Sequence, residues 1–121
     1  MKLLKAALFT ALFSCAGLAN AELISNVPLD TSRFELMPIS ELSASAAQGN
    51  DHAQFYLAKR LQKGEGVAQN TQQAVQWYTK AAQQGVAPAQ LNLAIMYLRG
   101  EGVQPNLQQA RLWLEKAAMR G

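Results

Sequence analysis

The sequence predicts an all-α fold, a solenoid of antiparallel helical hairpins, and three observations carry that prediction. Residues 50–85 return as residues 86–121 with 17 of 36 positions identical and no gap. A fixed period in the thirties marks stacked supersecondary units rather than an enzyme core. Alanine and leucine positions recur at spacings of three and four, and no stretch alternates as a half-buried strand would. Glycines stand at fixed offsets, Gly64, Gly66 and Gly85 over Gly100, Gly102 and Gly121, where the chain must turn.

Residues 1–21 read as a segment apart from the fold. Lys2 and Lys5 give a positive start, Leu3 to Leu18 is almost wholly apolar or small, and Ala19-Asn20-Ala21 supplies a small-x-small cleavage site. The expectation is a signal peptide cut at Ala21/Glu22, leaving a periplasmic or secreted chain. The alternative is a lipoprotein anchored through Cys15, the one route to a membrane. Phe13 fits poorly inside such a lipidation box. Residues 22–37 lack helical periodicity and, with Pro28 and Asp30-Thr31-Ser32, read as an extended arm along the first helix.

Residues 38–49 form a degenerate half repeat. One period back from Gly85 lies Gly49, with Ala46 in register with Ala82 and Gln48 with Gln84. Glu41 stands where the tryptophan should be, so this piece is expected to act as an N-terminal cap. Each full repeat (50–85 and 86–121) then divides into two helices. The first spans about Asp51 to Lys63, and Pro88 to Arg99 in the second copy, where proline suits a helix start. The second follows Asn70 or Asn106, each a good N-cap, and ends at Gly85 or Gly121, where glycine adopts a left-handed C′ conformation. Ala74, Ala81 and Ala82, with their copies, allow close helix approach. Trp77 and Trp113 are expected to fill the wedge between hairpins.

Charge and cysteine content narrow the function. The full chain carries +3, but Lys2 and Lys5 leave with the leader, so nine Lys/Arg face eight Asp/Glu in the mature 100 residues. A nucleic-acid binder would show a clear positive excess, so no nucleic-acid partner is expected. The only cysteine lies in the leader, which leaves no disulfide and no thiolate metal site.

The motif Ala53…Leu57-Ala58…Gly64-Glu65-Gly66-Val67…Asn70…Ala74…Trp77-Tyr78…Lys80-Ala81-Ala82…Gly85 returns in the second copy. It resembles the Sel-1-like repeat family, relatives of the tetratricopeptide repeats, fully over 50–121 and weakly over 38–49. Ala58 and Ala94 replace a usual glycine, Leu61 a usual tyrosine and Leu114 the second aromatic, each one packing residue for another. The resemblance implies a right-handed superhelical scaffold that binds other proteins, often in bacterial envelopes. A cysteine-rich branch of the family is associated with β-lactam binding or hydrolysis, which supplies the alternative function. This chain lacks that branch's cysteines and has no Ser-x-x-Lys nucleophile pattern, so it is not expected to be an enzyme.

Other chemistry-bearing residues read as structural. His52, the only histidine, has no Cys/His companions for a metal. Glu65 and Glu101 fall at equivalent turns and read as solvated. Gly64-x-Gly66 lacks the preceding strand and the Lys-Ser/Thr of a phosphate loop, so no cofactor is expected. Trp77 and Tyr78 read as core.

The better signal lies where the two copies disagree. Tyr56, Lys59, Arg60 and Lys63 correspond to Asn92, Ile95, Met96 and Arg99. Spacings of three and four place each set on one helix face, turned from the Ala/Leu core. First helices line the concave side of a solenoid, and a mix of Tyr, Arg, Met and Ile is the composition of an interface. These eight residues are the candidate protein-binding surface, with another protein or peptide as partner. No capping helix follows Gly121, so Leu112, Trp113 and Leu114 are expected to be partly uncovered and open to self-association. The function expected is an exported protein-binding scaffold or adaptor.

Overall fold

The computed structural model describes residues 31–120. The expected leader 1–21, its cleavage site, Cys15, the arm as far as residue 30 and Gly121 lie outside the described residues. Five helices follow one another: α1 (Ile39–Ala47), α2 (Asp51–Lys63), α3 (Thr71–Gln83), α4 (Ala87–Arg99) and α5 (Leu107–Arg120). They lie in one unit, Ser32–Gly121, and each packs chiefly on its neighbours in sequence. No strand occurs among the described residues. Of the segment expected to be extended, Thr31–Phe34 forms a single 3-10 turn.

Helix ends follow from side chains at fixed offsets. Asn50, Asn70 and Asn106 each accept, through Oδ1, from the backbone N–H three residues on (Ala53, Gln73 and Gln109) at 2.9–3.0 Å. That satisfies one of the donors a helix start leaves open. Val86 offers no such oxygen, and α4 begins instead with Pro88 in its first turn. The first helix of each repeat stops at a left-handed glycine, Gly64 (φ 74°) or Gly100 (φ 71°), whose N–H closes on the carbonyl of Arg60 or Met96.

Alanines set the spacing of the stack. Ala53, Ala58, Ala74, Ala81, Ala89, Ala94 and Ala110 are all fully buried, so helix axes approach closely. The largest fully buried side chains are Tyr78, Leu42, Leu93 and Met96. Trp113 is buried and Trp77 only partly so. Both rings keep the same companion, Lys80 or Lys116, with its ammonium 4.7 Å above the ring centroid. The residue that plugs the hairpin junction in the first repeat is therefore Tyr78 rather than Trp77.

A polar joint links each hairpin to the element before it. Gln54 Nε2 donates to Ala46 O at 3.1 Å, and Gln90 Nε2 donates to Ala82 O at 3.0 Å. Both glutamines are buried, where an amide needs a partner. The second repeat adds a tighter contact. A Cβ on Gly102 would lie 2.5 Å from the Thr71 carbonyl oxygen, whereas one on Gly66 would meet nothing within 4 Å.

Candidate functional site

Five of the eight candidate residues line one cleft. Lys59 and Lys63 of α2 and Asn92, Ile95 and Arg99 of α4 surround a space of about 270 Å³, joined by Gln62 of α2 and Tyr78 of α3. The cleft spans both repeats.

Its floor is a hydrogen-bonded chain. The Tyr78 hydroxyl donates to Gln62 Oε1 at 2.7 Å and accepts from Asn92 Nδ2 at 3.4 Å. Gln62 Nε2 donates onward to Glu101 Oε2 at 3.3 Å. Burial, opposed by the Asn92 hydrogen bond and reinforced by the Glu101 charge, pushes the Tyr78 hydroxyl up to about 12. It stays neutral at any physiological pH. The rim holds the cations, each beside a carboxylate outside the lining. Lys59 lies 3.7 Å from Glu35, Lys63 4.0 Å from Glu65 and Arg99 3.5 Å from Glu101.

The remaining three candidates are placed differently. Met96 is fully buried, which corrects its expected position on an open face. Tyr56 and Arg60 meet the chain's own segment before α1. Phe34, itself buried, stacks on Tyr56 with centroids 6.1 Å apart. Arg60 Nη2 donates to the carbonyls of Phe34 at 3.1 Å and Glu35 at 2.6 Å. A first helix in a stack has two neighbours, its own hairpin partner and the element before it. Position 60/96 turns in the first copy toward the segment before α1, where Arg60 clamps 34–35.

Gln62 and Tyr78 were not among the sequence candidates. Their equivalents are Leu98 and Leu114, so they too are positions at which the copies differ. His52 bonds through Nδ1 to its neighbour Asp51 at 2.9 Å. No group of three His, Cys, Asp or Glu that could hold a metal occurs among the described residues, and no helix among them is long and apolar enough to cross a membrane. On α5, Leu107, Leu112, Leu114 and Met119 are exposed. Trp113, expected to be partly uncovered, is buried.

Comparison with known proteins agrees with this geometry. A family model described as Sel1 repeat matches residues 51–86 and 87–121. Among solved structures, a Sel1 repeat protein from Oxalobacter formigenes is 38% identical with a TM-score of 0.67, covering 69% of this chain and 63% of its own. A protective antigen of uropathogenic Escherichia coli with an SLR fold is 41% identical with a TM-score of 0.65, covering 66% of this chain and 17% of its own. Cysteine rich protein B of Helicobacter pylori is 25% identical with a TM-score of 0.67, covering 82% and 71%. The chain thus spans less than two thirds of the length of the first two. No curated protein matches significantly.

Proposed function

The chain belongs to the Sel1 repeat family, and from that premise we propose that it is an exported protein-binding scaffold that holds a segment of a partner protein in the cleft between α2 and α4. The observation that supports this reading is the convergence of side chains from three helices and both repeats on one open cleft. Its floor is satisfied internally, so its rim is left to meet a ligand. Tyr56 and Arg60 serve the proposal indirectly, by fixing residues 34–35 at the edge of the same surface. Export rests on the leader pattern of residues 1–21, and a periplasmic or secreted location follows from it. The exposed leucines of α5 support a second contact, with another copy of the chain.

A photo-crosslinking amino acid placed at Ile95 tests the cleft in the exporting cell, with Gln76 on an exposed face as control. One partner is expected from Ile95 and none from Gln76, with capture abolished by Lys63→Glu combined with Arg99→Glu at unchanged melting temperature. At Leu114 the same probe is expected to return a second copy. Equal capture from Ile95 and Gln76 would overturn the cleft as the site. A chromogenic β-lactam is expected to remain intact. Turnover lost on one substitution would replace a scaffold with an enzyme.

A further inference from the structure

We propose that the cleft is selective for an acidic, extended segment of its partner, with a side-chain carboxylate held among Lys59, Lys63 and Arg99. The inference rests on the binding reading above and specifies its ligand. The lining contains three cations and no anion. Its other polar groups are neutral amides and a tyrosine hydroxyl already engaged as donor and acceptor. A carboxylate is the protein group that three converging cations recognise best, because charge-assisted hydrogen bonds are the strong ones.

The ion pairs of the cations are loose, and Lys59 in addition stands 5.6 Å and 5.3 Å over the Phe55 and Tyr56 rings. Their own carboxylates stand 3.5–4.0 Å away on side chains that are partly or largely exposed, and water weakens such pairs. A ligand carboxylate arriving inside the cleft, where Ile95 and the Tyr78 ring exclude water from one side, replaces a loose contact with a multidentate one.

The molecule also contains a template of the interaction beside the cleft. Along one row of α2, Tyr56 stacks on Phe34, Arg60 binds two successive carbonyls, and Lys59 takes the Glu35 carboxylate. That row already holds backbone and acid together. Lys59 belongs both to this contact and to the cleft lining, which also holds Lys63 and Arg99.

The test uses the full chain after export. The probe is an octapeptide of alternating glutamate and alanine, compared with its glutamine-for-glutamate counterpart and with an octamer of deoxythymidine. Binding is followed by amide chemical shifts and by fluorescence anisotropy at several salt concentrations. The acidic peptide is expected to shift Lys59, Lys63, Asn92, Ile95 and Arg99. Its affinity should fall about tenfold or more in the glutamine peptide, in Lys63→Gln with Arg99→Gln, and at high salt. Glu35→Gln, which releases Lys59, is expected to tighten binding about twofold. Equal affinity for the glutamine peptide, shifts centred elsewhere, tighter binding of the oligonucleotide, or no binding at millimolar peptide would each overturn the proposal. If Ile95 still crosslinks a partner while the acidic peptide fails, the scaffold reading stands and only its acidic selectivity falls.

Discussion

The two repeats share nearly half their residues and differ in what stands before and after them. Gly66 and Gly102 occupy the same turn with φ of 71° and 67°, yet only Gly102 abuts backbone, that of Thr71. Gln54 Oε1 accepts from Gln84 Nε2 at 2.8 Å, while Gln90 Oε1 is buried with no partner among the described residues. Tyr78 is fully buried, and its equivalent Leu114 is 38% exposed. Arg60 clamps the end of the 3-10 turn before α1, whereas Met96 is enclosed. Positions that differ between copies therefore record first which neighbour each copy has inside the molecule.

The largest contrast is expected at position 60/96. Met96→Ala should cost about 2–5 kcal/mol in urea unfolding, through lost burial and a residual cavity. Arg60→Ala should cost about 1 kcal/mol, the net value of partly exposed hydrogen bonds. Its effect should appear as faster amide exchange at Met37, whose N–H bonds to Phe34 O. Equal losses would show that Met96 is not enclosed as described. The turn glycines give the next contrast. Both Gly→Ala changes meet the left-handed penalty of about 1–2 kcal/mol. Gly102→Ala should add about 1–3 kcal/mol more, as overpacking against Thr71. A matching pair of melting curves would remove the argument for close approach.

The smallest effect concerns the cleft floor. Tyr78→Phe leaves Gln62 Oε1 and Asn92 Nδ2 without the hydroxyl and should cost about 1–2 kcal/mol. The sign of its pH dependence is fixed, since the folded state holds the phenolic proton to about pH 12 and an unperturbed tyrosine only to 10.0. The stabilisation is complete below pH 10 and is lost as pH rises through 12. The stability gap between wild type and Tyr78→Phe should therefore be flat to pH 10 and narrow above it. A gap that widens would contradict the buried neutral hydroxyl.

Much of the fold was legible because its punctuation is local. Glycine stops, with Pro88 at the start of the second copy, placed α2 at Asp51–Lys63 as read and α4 within one residue, and Asn70 and Asn106 marked the starts of α3 and α5. That Lys59, Lys63, Asn92, Ile95 and Arg99 share one surface was legible because helical spacing and copy disagreement coincide there. Met96 was misplaced because helical spacing describes a single buried stripe, whereas a first helix in a stack is covered on two sides. Gln62 and Tyr78 were missed because disagreement was sought only on chosen faces of the first helices. The same comparison extended to Gln62/Leu98 and Tyr78/Leu114 would have exposed both. The 3-10 turn at Thr31–Phe34 was illegible because its stability comes from contacts with Tyr56 and Arg60, distant in sequence.

The glutamine joints have a mechanical consequence. Because Gln54 and Gln90 reach into the carbonyl ends of the preceding helices, neighbouring hairpins are oriented by directional bonds and not by apolar contact alone. The two walls of the cleft, α2 and α4, are thus each tied by such a bond to the helix before them. On the proposed binding reading, a segment entering there would do the adapting, and the loss of freedom on association would fall on the guest rather than on the host.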